Sequence, residues 1–164
     1  MMPSVENTIS DEINVARAVF APQMVDEYGM ITRAAFSLRH NETYISVCRM
    51  DVSTWKQDLE AIPQSTNRML CGYAVLNVGE IRALNFVHEG HNIAFDVIDK
   101  HTDNNKSHAG IVLAFDCSNL KGDKNVLLKP LPKESYAAPL LLRVQSRLLK
   151  LAKKNYTKFK TIAL

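Results

Sequence analysis

The chain has 164 residues, 46% of them hydrophobic and 23% charged, which is the profile of an ordinary globular protein and too apolar for a disordered one. No run approaches the roughly 20 apolar residues of a membrane span, and no apolar core of signal-peptide length opens the chain. The three cysteines, Cys48, Cys71 and Cys117, have no C-x-x-C spacing; this argues against a disulfide framework or a cysteine-rich zinc site and fits a reducing cytoplasm.

The net charge of +3 hides an asymmetry. Residues 1–135 carry 13 Lys/Arg against 17 Asp/Glu, whereas residues 136–164 carry 7 Lys/Arg and no acid. The body is mildly acidic and the tail is one-signed and basic.

Residues 1–9 read as a loose start. Ser10 is placed to cap a helix over Asp11–Phe20, with acids in its first turn and Ile13, Ala16 and Phe20 on one face; Pro22 stops it. Tyr28-Gly29 marks a turn, and the alternation of Ile31–Arg39 predicts a half-buried strand. His40-Asn41-Glu42 then turns into a second strand over Tyr44–Met50, expected to pair with the first as a hairpin. Thr54 and Gln57 match a capping box opening a short helix with Trp55, Leu59 and Ile62 on its apolar side, ended by Pro63.

Gly72–Val87 is strand-like, broken into two pieces at Gly79-Glu80. Ile93–Asp99 is a further strand, His101–Ser107 a turn-rich loop, and Ala109–Phe115 a nearly all-apolar run that predicts a central strand. The last element, Pro139 to Phe159, is the cleanest periodic pattern in the chain. At 100° per residue Leu141, Val144, Leu148, Leu151, Ala152, Tyr156 and Phe159 share one half of a helix. Arg143, Arg147, Lys150, Lys153, Lys154 and Lys158 share the other. The expectation is one α+β domain: a mainly antiparallel sheet of about five to six strands, an N-terminal helix, one short middle helix and a long basic C-terminal helix.

Two constellations suggest chemistry. The first is the cationic helix face, which would bind phosphates of nucleic acid or dock on an acidic protein partner; as a packing device it would only lay its apolar side on the sheet. The second is His108, at the start of an apolar strand, where an imidazole suits general acid–base work. Arg33 and Arg82 sit in apolar strand patterns, and an inward arginine needs an anion, from a carboxylate or a ligand phosphate. Ser46 and Asp96 are polar partners within reach of such a site. His88, His91, His101 and His108 fall within 21 residues, with Glu89 beside the first, but lack metalloprotease spacing, so no metal site is expected. There is no P-loop, no G-x-G-x-x-G and no G-x-S-x-G, so no cofactor is expected either.

The pieces ITRAAF (31–36), ISV (45–47) and HAGI (108–111) resemble a pattern in small bacterial proteins of unassigned activity, with an Ala-Phe strand, a Ser-Val strand and a late His-Ala motif in that order. The resemblance implies no activity, but it singles out Arg33, Phe36, Ser46 and His108. Three readings follow: an interaction module using the cationic helix; a small enzyme using His108 and Arg33 on a phosphate-containing or nucleotide-like ligand; and a homo-oligomer joined through the helix.

Overall fold

A computed structural model describes residues 9–38, 42–116, 128–131, 136–137, 139–152 and 156–159. Among the described residues eight strands form one antiparallel sheet: β1 (Asn14–Ala21), β2 (Ile45–Arg49), β3 (Met69–Asn77), β4 (Asn85–His88), β5 (His91–Asp99), β6 (His108–Asp116), β7 (Leu128–Pro130) and β8 (Tyr156–Lys158). Seven of them run in the order β4-β5-β6-β2-β1-β3-β8, and β7 pairs with β6 beyond the reach of β2. The strands exceed the expected number because β1, β7 and β8 are added while the strand expected over Ile31–Arg39 is lost.

Three helices accompany the sheet: α1 (Trp55–Glu60), α2 (Val78–Arg82) and α3 (Leu140–Ala152). Successive side chains of a strand point to opposite faces. Val15 and Val19 of β1 and Val47 of β2 join the larger core, with α3, α2 and Phe36, whereas Ala16, Ala18, Phe20 and Cys48 join a second core with Leu59 of α1. The sheet is therefore covered on both faces around β1 and β2.

Several expected elements are corrected. The N-terminal helix is strand β1, which pairs with β3 along its whole length. Both faces of β1 are buried, so its apolar residues are too dense to show a period of two. Ile31–Arg39 is not a strand: Arg33–Phe36 forms a 3₁₀ turn in which the adjacent Ala35 and Phe36 are both buried. β2 consequently has no hairpin partner there and pairs with β1 and β6.

Thr54 stands at the N-cap of α1 but makes no side-chain cap to the backbone; its hydroxyl donates instead to Asp58 at 3.1 Å. Gly79-Glu80 breaks the strand pattern by lying inside α2, which Asn77 caps by accepting from the Glu80 amide at 3.0 Å. The strand over Ala109–Phe115 is interior as expected, between β5 and β2.

The C-terminal helix exists but is shorter than its pattern. α3 ends at Ala152, and Lys158 lies on β8, paired with Gly72. Its buried residues are Leu140, Val144, Leu148 and Ala152, a strict i, i+4 row. Leu141 and Leu151 are only partly buried. Phe159 belongs to the second core, tilted against Tyr73 at 5.6 Å.

Candidate functional site: a cavity where two strands part

β1 follows β3 from Asn14↔Asn77 to Ala21↔Met69, but it pairs with β2 only at Val15↔Arg49 and Ala16↔Cys48. β2 instead follows β6 through Ile45↔Ile111 to Cys48↔His108. Beyond Ala16 the two strands diverge, and the wedge between them is held by one side chain. The Arg17 guanidinium donates from Nε to the Ala35 carbonyl at 2.7 Å, from Nη1 to the Ser46 carbonyl at 2.8 Å and from Nη2 to the Ser37 carbonyl at 3.2 Å. A rigid planar fork suits this role, because three carbonyls from two segments, the 3₁₀ turn and β2, must be met at once.

Beside this fork lies a cavity of about 570 Å³, within the size range of small-molecule sites. Its apolar wall comes from Ala16, Ala18 and Phe20 of β1, Met24, and Leu59, Ile62 and Pro63 in and after α1. Its polar lining comes from Ser46, Cys48, Asn105, His108, Glu42 and Tyr44, with the cations Arg17 and Arg68. Arg68 lies 4.0 Å over the Phe20 ring.

His108 and Ser46 meet in this lining, with imidazole Nε2 3.2 Å from the Ser46 hydroxyl. Tyr44 packs edge-on against the imidazole at 5.8 Å, and Lys100 caps the Tyr44 ring at 4.2 Å. Burial pushes the His108 pKa below the ordinary histidine value, and the Lys100 charge adds to this. A backbone hydrogen bond at Lys100 and the charges of Glu42 and Asp99 pull the other way without winning. The imidazole is therefore neutral at pH 7.

Asp58 of α1 anchors Ser107, the residue before His108. Its Oδ2 accepts from the Ser107 hydroxyl at 2.6 Å, the Ser107 amide at 3.2 Å and the Thr54 hydroxyl. Ser107 is fully buried and precedes His108, so this cluster pins α1 to the start of β6. Burial raises the Cys48 thiol pKa, as does the Asp58 charge; a hydrogen bond with Ser107 and the Arg17 charge only offset this. Cys48 is thus a protonated thiol and a poor nucleophile. Asn105 Oδ1 is buried and meets no donor among the described residues.

The other residues singled out from the sequence lie elsewhere. Arg33 is exposed in the 3₁₀ turn and does not line the cavity. Arg82, in α2, finds its anions within the chain: it bonds Asp96 at 2.8 Å and Asp11 at 2.7 Å, together with the carbonyls of Ile9 and Val97. His101 pairs with Asp99 at 2.8 Å, His91 packs on Phe115, and His88 lies 3.2 Å from Arg143. Among the described residues no three His, Cys, Asp or Glu groups converge as metal ligands.

The cationic face is divided. Arg143 and Arg147 both lie over the Phe86 ring, at 4.5 and 4.2 Å, and Arg143 also donates to the Val87 carbonyl at 2.7 Å. Burial, with the neighbouring Arg143 charge, lowers the Arg147 pKa. Lys150 is exposed on α3, Lys158 is exposed on β8, and Lys153 and Lys154 lie outside the described residues.

The sequence reading missed Arg17. Its signal was a single arginine inside the apolar run NVARAVFA, which a helical reading assigns to solvent. Cys48 is a free thiol, the Cys71 thiol donates to the Val19 carbonyl at 3.3 Å, and Cys117 lies outside the described residues. Among the described residues no helix is long and apolar enough to cross a membrane. No protein-family model, curated protein or solved structure matches the chain.

Proposed function

We propose that the protein binds a small amphipathic carboxylate in the cavity between β1 and β2. The observation that carries this reading is the two-sided lining: an apolar wall from β1 and α1 against a polar side made by Ser46, His108 and Arg17. An apolar ligand body would cover the part-exposed Met24 and Ile62 and the exposed Pro63, gaining about 25 cal/mol per Å² buried. The guanidinium groups of Arg17 and Arg68 are in the lining, and a planar guanidinium matches the geometry of a carboxylate. Asn105 Oδ1 offers an acceptor to a ligand hydroxyl.

Calorimetric titration with octanoate tests it. The expected result is saturable 1:1 binding with a dissociation constant of about 1 mM or tighter, or about 4 kcal/mol. Ala18→Leu, which fills the cavity, and Arg68→Gln, which removes a charge, should each weaken it severalfold while thermal unfolding stays cooperative. No saturable heat, or equal binding by wild type and both variants, contradicts the reading.

A second reading keeps the cationic surface of α3 as a contact for nucleic acid or an acidic protein. The observation favouring it is that Arg143 and Arg147 crowd one ring and neither has an ion-pair partner among the described residues. Binding of single-stranded RNA that falls steeply with salt, and is lost in Arg147→Gln with Lys150→Gln, would support it. Salt-insensitive or absent binding would contradict it.

A further inference from the structure

We propose that Ser46 and His108 are a nucleophile and general base that hydrolyse carboxylic esters whose acyl product is the amphipathic carboxylate proposed above. This inference rests on the cavity reading and adds chemistry to it. The geometry sets a hydroxyl nucleophile against a candidate general base inside a cavity, the pairing with which acyl transfer begins. The Ser46 hydroxyl lies 3.2 Å from His108 Nε2, on neighbouring strands and inside a cavity large enough for a substrate. The Tyr44 ring, edge-on at 5.8 Å, packs against the imidazole. With the proton on Nδ1, Nε2 carries its lone pair toward the serine, so the Ser46 O–H donates to it. The Arg17 guanidinium bonds the carbonyl of Ser46 itself, which sets a fixed positive charge beside the nucleophile.

The reaction balances with water as the only co-reactant. Ser46 Oγ attacks the ester carbonyl carbon while its proton passes to His108 Nε2. The oxyanion forms near Arg17. The carbonyl re-forms, the C–O bond to the alcohol breaks, and the leaving alkoxide takes the proton from His108. The alcohol so released has Asn105 Oδ1 as an acceptor in the cavity lining. Water then attacks the acyl-serine, giving one proton to His108, which returns it to Ser46 as the carboxylic acid departs.

The neighbouring cysteine does not compete, since Cys48 is held as a buried thiol. The charged and titratable groups around His108 are Asp99 at the end of β5 and Lys100 just after it, Glu42 and Tyr44 ahead of β2, Cys48 on β2 and Arg17 on β1. The burial that keeps the imidazole neutral leaves it able to accept a proton at pH 7.

The full chain is treated with a fluorophosphonate probe, the modified residue is mapped by mass spectrometry, and p-nitrophenyl butyrate hydrolysis is followed in parallel. Octanoate binding is measured on the same samples. The expected result is a single adduct on Ser46, slowed by octanoate and absent in Ser46→Ala, with hydrolysis reduced about 100-fold or more in Ser46→Ala and in His108→Gln. The rate should rise with pH through a midpoint below 6.5 and level off by neutrality; that profile should vanish in His108→Gln, which a merely structural histidine would not produce. Octanoate binding without a Ser46 adduct, or hydrolysis that survives Ser46→Ala, overturns the inference and leaves the binding site standing. Failure of both binding and labelling overturns both.

Discussion

His108 and Cys48 are direct cross-strand partners between β6 and β2, and the imidazole leans past that partner to reach the hydroxyl of Ser46, two residues along, at 3.2 Å. Diagonal neighbours on an antiparallel pair are within reach of a long side chain. A strand-borne polar pair is thereby held on the sheet rather than on a loop, where its geometry would be looser.

That placement has a consequence for acid stability. The folded-state pKa of His108 lies below its unfolded value, because burial disfavours the charged ring. Its contribution is therefore fully present above pH 6.5 and is lost as pH falls through the folded value, where the unfolded chain binds the proton more readily. Urea midpoints measured between pH 7.5 and about pH 5 should fall with acidity. The fall should be shallower in His108→Gln; an identical slope in the variant would contradict the assignment.

Arg17 should be intolerant of conservative change. Arg17→Met keeps the stem but leaves three carbonyls without their donors, and Arg17→Lys cannot meet all three from one ammonium. Each substitution should cost about 2–4 kcal/mol in chemical denaturation. A loss below about 0.5 kcal/mol for both would show that the wedge between β1 and β2 is held by something else.

Phe86 supports the arginines of α3 as well as the core. It is 7% exposed, packs 6.0 Å from Phe95, and carries both guanidiniums on its ring. Phe86→Leu retains apolar bulk but removes the ring, so it should cost about 1–2 kcal/mol. Arg147→Gln in the Phe86→Leu background should then cost less than in the wild type, which a double-mutant cycle measures. Additive costs would mean the ring and the arginine do not interact.

Gly72 permits β8 to dock. A Cβ at this position would be driven into the backbone carbonyl of Thr157. Gly72→Ala should therefore raise hydrogen exchange at the amides of Tyr156–Lys158 while leaving β1–β3 pairing intact, as read by mass spectrometry. Unchanged protection there would contradict the pairing of β8 with β3.

Much of the sheet was legible in the sequence, and the reasons for the exceptions are physical. β5 and β6 announce themselves because each combines an apolar run with flanking turn residues. β1 does not, because Val15 and Val19 face one core while Ala16, Ala18 and Phe20 face the other, so from Val15 to Phe20 Arg17 alone is polar. ITRAAFSLR mimics a strand, yet Ala35 and Phe36 are buried side by side, which alternation cannot produce. The helical period of the tail continues by coincidence past Ala152 into residues that pair as β8.

Of the site, His108 and Ser46 were legible as types in the right places, one at a strand start and the other within a strand. Their association with Arg17 was not, because it depends on β1 and β2 parting after two paired residues. That is a property of sheet order, set by contacts far apart in the chain. Arg33 drew attention through the same misread strand that hid the turn. Arg82 did face an anion, and the anions are the chain's own Asp96 and Asp11.

The central claim is that ligand binds between β1 and β2, and a ¹H–¹⁵N spectrum of the labelled protein titrated with octanoate tests it most directly. The account predicts saturable shifts concentrated at residues 16–20, 46–48 and 105–108, with little change along residues 143–150. Shifts confined to the cationic surface of α3, or no saturable shifts, would contradict it.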